Sequence, residues 1–113
     1  PAAVLSGWRY IESKNQKFTM QIPQNWYYSG SGSYYGFSTK PVTSDNQIAQ
    51  IDIITSTTPT GNSIIINGKK ALISRDDSIV IIYLPKSDGK IYKIQGLPSE
   101  EATLIKLAET IND

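Results

Sequence analysis

The side chains best suited to binding a ligand are five aromatic residues on either side of a glycine and serine run, residues 29–33. They are Trp26, Tyr27, Tyr28, Tyr34 and Tyr35. Aromatic rings at this spacing could stack on sugar rings or contact a peptide. Alternatively, alternate members pack in the core, because adjacent residues of a strand point to opposite faces and a Tyr tolerates water without a ligand. The sequence leaves both interpretations open.

The acidic residues are the second group that could do chemistry. Asp76 and Asp77 are adjacent, and Asp45, Asp52 and Asp88 occur elsewhere. Their oxygens could bind Ca²⁺, which takes about six to eight ligands, but the spacing lacks a regular calcium-binding loop. Adjacent Asp residues before a strand are typical of a turn. We therefore expect no metal site.

A hydrolase that uses only carboxylates is a further alternative. It would need two acids across a cleft, one with a raised pKa, and Glu12, Asp52 and Asp76 could be placed in such roles. The spacing does not require this arrangement. The chain also has no Cys and no His, which removes thiol nucleophiles, zinc sites built from these residues, and Ser-His-Asp triads. We expect a protein that is not an enzyme and needs no cofactor.

Length and charge limit the remaining classes. The chain has 113 residues, of which 39% are hydrophobic, and this is enough for one packed domain without metal or disulfide support. The formal net charge of +1 argues against nucleic acid as a partner. No apolar run approaches the roughly 20 residues of a membrane-spanning helix.

The first half of the chain is predicted to form strands. Residues 8–12 and 17–22 read as a hairpin, and Pro23 ends its second strand because proline has no amide hydrogen for the ladder. Residues 29–33 are expected to be a loop. Residues 34–39 and 48–55 are two further strands.

The second half combines strands with one helix. Asn67 and Gly68, between β-branched runs, predict a tight hairpin turn. Residues 79–84 are all apolar and predict an inner strand covered on both faces, and residues 91–94 are its return strand. A helix follows, capped by Ser99. Its apolar stripe is Leu104, Leu107, Ala108 and Ile111.

These elements predict an α+β domain with a mainly antiparallel sheet of about six to eight strands and a C-terminal α-helix on one face. One helix is too narrow to cover such a sheet. We expect the second face of the all-apolar strand to be covered by the N-terminal segment, the 26–35 loop or another molecule. Residues 1–7 are expected to be a linker or tether remnant, and residues 8–113 the domain.

Two stretches resemble PsbP-like domains. Phe18, Met20, Ile22, Pro23 and Trp26 match an opening pattern F-x-h-x-h-P-x-x-W, in which h is apolar. Residues 89–96 and the helix after them are similar to the closing strand and helix of that group. The resemblance covers residues 8–28 and 64–111, and the sequence departs from it at residues 41–63, where relatives often carry additional helices.

The resemblance implies an exported protein, often a lipoprotein or membrane-tethered domain of bacterial type, that is not an enzyme. Such domains assemble or stabilise membrane complexes by binding another protein. The many uncharged polar residues favour the same extracytoplasmic location. Contact with a membrane is expected only through an N-terminal anchor that the sequence does not include. No metal or partner site of that group matches residues of this chain.

Overall fold

The computed structural model describes residues 4–55 and 58–113. Within these ranges the chain forms nine β-strands, one short 3₁₀ turn (Pro98–Glu100) and one α-helix, α1 (Glu101–Thr110). The strands are β1 (Trp8–Ser13), β2 (Phe18–Pro23), β3 (Tyr27–Ser31), β4 (Tyr34–Ser38), β5 (Ala49–Ile54), β6 (Asn62–Ile66), β7 (Lys69–Arg75), β8 (Val80–Pro85) and β9 (Ile91–Gly96).

Seven of these strands form one antiparallel sheet in the order β3-β4-β5-β9-β8-β7-β6. The last strand of the chain, β9, pairs with both β5 and β8 and so joins the two halves of the sheet. Strands β1 and β2 form a separate two-stranded sheet. The expected α+β class, with a mainly antiparallel sheet and a C-terminal helix packed against it, is confirmed.

The β1–β2 hairpin and α1 both lie on one face of the large sheet, which we call the inner face. The Phe18 ring of β2 meets the rings of Tyr35 and Tyr92 edge-on, with centroids 6.1 and 5.3 Å apart. Leu104 and Leu107 of α1 are fully buried against the same face. The core therefore lies between the large sheet and a second layer made of one hairpin and one helix. We call the opposite face of the large sheet the outer face.

The structure contradicts the loop expected at residues 29–33. This segment continues β3 and turns at Gly32, which has a φ of 60°, into β4. A Cβ added to Gly30 would lie 2.1 Å from the carbonyl oxygen of Tyr34. Glycine is present here because the two backbones approach closely, and the sequence interpretation mistook this requirement for backbone freedom.

The expectation that residues 79–84 are covered on both faces was also wrong for the described residues. In β8, Val80, Ile82 and Leu84 are buried, while Ile81 and Tyr83 are half-exposed. The expected N-terminal cover lies on the inner face beside the helix, so it does not reach the outer face. The sequence did not indicate which residues of this strand are buried, because its half-exposed side carries apolar residues as well.

Two expected hairpins are confirmed. The first joins β1 to β2. The second joins β6 to β7 through Asn67 and Gly68, whose φ angles of 51° and 80° have the signs that a type I′ turn requires. Pro23 is the last residue of β2, as its missing amide hydrogen predicts.

The helix begins differently from the expectation. A 3₁₀ turn starts at Pro98, and α1 has Glu100 at its N-cap with no side-chain hydrogen bond, so Ser99 is not the cap. Proline places Ser99 inside the first turn, beyond the cap position. The apolar stripe lies as expected, with Ile111 buried one residue beyond the helix. No helix in the described ranges is long and apolar enough to cross a membrane.

Residues expected to be a linker make contacts with the domain where they are described. The Leu5 amide donates to Gln21 Oε1 at 2.8 Å, and the carbonyl of Gly7 accepts from the Gln24 amide at 2.8 Å. Residues 1–3 lie outside the described ranges.

Candidate functional site

Trp26 lies inside the molecule. Its side chain is 5% exposed, and its ring centroid is 6.0 Å from that of Phe37. Its carbonyl oxygen accepts a hydrogen bond of 2.8 Å from the Arg9 guanidinium. A ring with so little exposed surface is not positioned to stack on a ligand.

Tyr28 and Tyr35 lie next to each other on the inner face at one edge of the sheet. Their ring centroids are 6.5 Å apart, and the Arg9 guanidinium lies 5.6 Å from the Tyr28 ring. The Tyr35 hydroxyl donates to Ser13 Oγ at 2.8 Å, which ties the sheet to the hairpin. Tyr28 is 41% exposed, so it is the ring of this pair that offers surface to a ligand.

Tyr27 and Tyr34 point to the outer face, at opposite ends of the β3–β4 hairpin. Tyr27 is 49% exposed. The Tyr34 hydroxyl donates to Gln47 Oε1, which belongs to the loop between β4 and β5. The five aromatic residues therefore divide among the core, the inner face and two ends of the outer face, and they form no single surface.

The carboxylates considered for catalysis or metal binding lie apart. Glu12 lies on the solvent side of β1, and Asp52 lies on the outer face of β5. Asp76 accepts hydrogen bonds from the amides of Ser78 and Ile79 at 2.7 and 2.9 Å. These bonds lower the pKa of Asp76. They are typical of an Asp side chain that stabilises a turn. Among the described residues, no group of three or more acidic side chains could hold a metal ion.

A small polar cluster lies where the residues after α1 meet the β8–β9 turn. The side chain of Asp113 is 5% exposed and accepts from the Tyr92 hydroxyl and the Ser87 amide, both at 3.0 Å. The buried Lys86 ammonium lies 3.2 Å from an Asp88 oxygen. Every charged group in this cluster has a partner of opposite sign or a hydrogen-bond donor. The cluster therefore stabilises the fold.

The outer face has a polar and an apolar half. On β5 and β9 it carries paired polar side chains: Gln95 donates to Gln50 at 2.9 Å, and Asp52 lies opposite Lys93. Partial burial raises the pKa of Asp52, although the Lys93 charge acts in the other direction. On β7 and β8 it carries the apolar side chains of Leu72, Ile81 and Tyr83, with polar Lys70 and Ser74 on either side of Leu72.

The apolar half contains a groove with a volume of about 260 Å³. Its lining residues are Pro59, Ser63, Lys70, Ala71, Leu72, Tyr83, Pro85 and Ile91. No strand or helix of the described ranges packs over it, because both covering elements lie on the inner face. The groove therefore presents the half-exposed side chains of Leu72, Tyr83 and Ile91 on the outer face.

Sequence reasoning did not single out the groove residues. Tyr83 belongs to the all-apolar strand at residues 79–84, which was expected to be covered on both faces, and no role was predicted for Leu72. A clear signal existed only on β7, where polar Lys70 and Ser74 flank Leu72 at the same-face spacing. A face on which an apolar residue has a polar residue on each side is typical of a surface that is partly exposed.

Comparison with known proteins gives one match. A family model described as a domain of unknown function (DUF4367) matches residues 4–111. No curated protein and no solved structure matched the chain.

Proposed function

The chain belongs to the DUF4367 family, and we propose that it is a PsbP-like, extracytoplasmic domain that acts by contact with another protein and catalyses no reaction. The contact serves the assembly or stabilisation of a membrane-associated complex. The observation that carries the proposal is the apolar groove on the outer face, defined above by its lining residues.

Leaving the apolar lining of this groove in water is unfavourable. Burying apolar surface gains about 25 cal/mol per Å², so a partner that covers Leu72, Tyr83 and Ile91 would gain from each of them. The groove has one charged lining residue, Lys70, at its side. Interfaces of this type have an apolar centre and a polar rim. The polar half of the outer face supplies such a rim next to the groove.

The extracytoplasmic location and the PsbP-like relationship are supported by the sequence alone. The polar residues are mostly uncharged. The resemblance in residues 8–28 and 64–111 points in the same direction. Cell fractionation tests the location directly. The native protein should be recovered with the outer or membrane fraction of its cell.

Site-specific photocrosslinking tests the contact surface. A photoreactive residue at Tyr83 should crosslink to one defined partner in the native membrane fraction, and Leu72→Lys should abolish this product. Ser74→Lys is the matched control, because Ser74 lies on the same strand and face but outside the groove. Thermal unfolding must show that both variants fold. Equal crosslinking from Tyr83 and from Glu12, on the other side of the molecule, would contradict the proposal.

A second candidate function is binding of a carbohydrate or small ligand at Tyr28. The exposed Tyr28 ring with the Arg9 guanidinium 5.6 Å from its centre favours it, since an aromatic ring can stack on a sugar while a neighbouring charged donor bonds a sugar hydroxyl. Titration of a glycan panel followed by NMR should then shift Tyr28 and Arg9 resonances, and Tyr28→Ala should remove the shifts. Unchanged spectra across the panel would dispose of this function.

A further inference from the structure

Strand β6 is an edge of the large sheet that carries none of the usual protection against pairing. Its five residues, Asn62–Ile66, include no charged residue and no proline. Its register with β7 is continuous from Asn62 to Ile66, so it has no bulge. Natural sheets protect their edges with charges, prolines, bulges or covering elements. β6 has none of these within the described residues.

The other edges of the fold differ from β6. Strand β1 carries Arg9 and Glu12. Strand β3 contains Gly30, and the Arg9 side chain reaches across to the Trp26 carbonyl just before it. The free side of β2 is occupied by the Thr19 and Asn112 bridge. Strands β2 and β3 also lack charged residues of their own, but β2 has the bridge to Asn112 beside it and β3 has the Arg9 side chain at its start. In the described part of the chain, β6 has neither a charge of its own nor such a neighbour at its free edge.

The hairpin geometry fixes which backbone groups of β6 face outward. In a two-residue turn the closing residues, Ile66 and Lys69, form a hydrogen-bonded pair, and bonded and non-bonded pairs then alternate. The amides and carbonyls of Ile64 and Ile66 consequently point to β7. Those of Ser63 and Ile65 point away from the sheet, where a further strand could bind them.

The side chains of β6 are also unusual for a solvent-exposed edge. Ile65 is 65% exposed on the outer face, and Ile64 is half-buried on the inner face. Ser63, two residues before Ile65 on the same face, forms one wall of the apolar groove. A strand placed antiparallel beside β6 would bring an apolar side chain to the mouth of that groove.

From these observations we propose that β6 pairs with β6 of a second copy of the chain, with the two-fold axis at Ile64. This register places Ser63 opposite Ile65 of the second copy and satisfies both outward pairs with about four hydrogen bonds. Each exposed Ile65 then lies over the small Ser63 side chain of the other copy, at the mouth of its groove. The contact is the same from both sides, as a two-fold dimer requires.

Charge permits this pairing. Lys70 lies on β7 beside Ile65, and in the proposed register three strand spacings, about 14 Å, separate it from Lys70 of the second copy. This exceeds the screening length of about 8 Å at physiological salt. The formal net charge of each chain is +1, so long-range repulsion between two copies is small. A second copy fits this edge without any like charges placed opposite each other.

Sedimentation over a concentration series, combined with hydrogen exchange, tests the pairing. The wild type should form a dimer, and Ile65→Lys should weaken it by at least about tenfold, since an edge lysine opposes pairing. Leu97→Lys is the control: Leu97 is 45% exposed, lies outside β6 and receives the same charge. In the dimer the amides of Ser63 and Ile65 should become protected, while those of Ile64 and Ile66 are protected at every concentration.

Three outcomes would overturn the proposal. A monomer at all concentrations contradicts it directly. A dimer in which the Ser63 and Ile65 amides exchange freely would be formed by another surface. Protection of these amides only when a different protein is added would assign the edge to that protein. Because the exchange pattern is read on the wild type, the test does not depend on the variant folding, and its failure leaves the partner contact proposed above intact.

Discussion

The Tyr92 hydroxyl, on the central strand β9, donates a hydrogen bond of 3.0 Å to the carboxylate of Asp113, beyond the end of α1. The Ser87 amide donates to the same carboxylate at 3.0 Å. These bonds connect Asp113 to strand β9 and to the turn between β8 and β9. They hold α1 against the inner face from its C-terminal side.

Removing the Asp113 charge should make the free energy of unfolding less dependent on pH in the acidic range. Burial acts to raise the pKa of Asp113, but hydrogen bonds from Ser87 and Tyr92 and the nearby Lys69 and Lys86 charges outweigh it, so the pKa is lowered. A lowered folded-state pKa stabilises the fold above the unfolded pKa of about 3.9, and this stabilisation is lost as pH falls through the folded value.

Asp113→Asn should therefore destabilise the protein by about 1 to 2 kcal/mol at neutral pH, and the difference should shrink below about pH 4. Urea unfolding at several pH values measures it. Asp77→Asn is the control, because Asp77 is an exposed turn residue. A difference between wild type and Asp113→Asn that stays constant down to pH 2 would contradict this account.

The hydroxyl of Tyr35 should contribute to holding the two layers together. It bonds Ser13 Oγ at 2.8 Å, and Tyr35→Phe keeps the ring contact with Phe18 but removes this bond. We expect a loss of about 1 kcal/mol, the usual net value of such a bond. Chemical unfolding measures it, with Tyr28→Phe as the control on the neighbouring, partly exposed ring. Equal effects of the two substitutions would show that the bond contributes nothing.

Gly30 should not tolerate a side chain. Its added Cβ would lie 2.1 Å from the Tyr34 carbonyl oxygen and 2.8 Å from the Tyr35 Cα, both backbone atoms that cannot move alone. Gly30→Ala should cost more than about 2 kcal/mol because the β3–β4 hairpin must open to accept it. Ser29→Ala, at the preceding residue, should change stability by less than about 0.5 kcal/mol. Similar unfolding midpoints for the two variants would be evidence against the close packing of this hairpin.

Neutralising Asp52 should increase stability at neutral pH. Partial burial raises its pKa, so the fold disfavours the charged form, and this penalty appears as pH rises from the unfolded pKa through the folded one. Asp52→Asn removes the penalty, with a gain below about 1 kcal/mol because the group is partly exposed and Lys93 offsets it. Thermal unfolding at acidic and neutral pH measures it. An Asn variant that is less stable at neutral pH would show that attraction to Lys93 dominates.

Several elements could be read directly from the sequence because local chemistry determines them. The Asn67 and Gly68 turn requires positive φ at two adjacent positions, and few other residue pairs allow it. The stripe of Leu104, Leu107 and Ala108 has a helical period that no strand shares. Alternation in β2 likewise indicates one buried face.

Other features depended on contacts between distant residues. The requirement for Gly30 comes from the backbone of the opposite strand, at Tyr34 and Tyr35. The apolar groove arises because Leu72 and Tyr83 meet on neighbouring strands. The five aromatic residues are close in sequence but do not share a surface. Trp26, for example, is buried beside Phe37.

The sequence by itself determined the α+β class, two of the hairpins and the helical stripe, because each depends on backbone preferences and side-chain periods within a few residues. Only the tertiary structure decided that hairpin and helix share one face of the sheet. That choice left the other face, with its groove, and the β6 edge exposed. Which face is covered depends on the sum of contacts among strands far apart in the chain, and no local pattern records that sum.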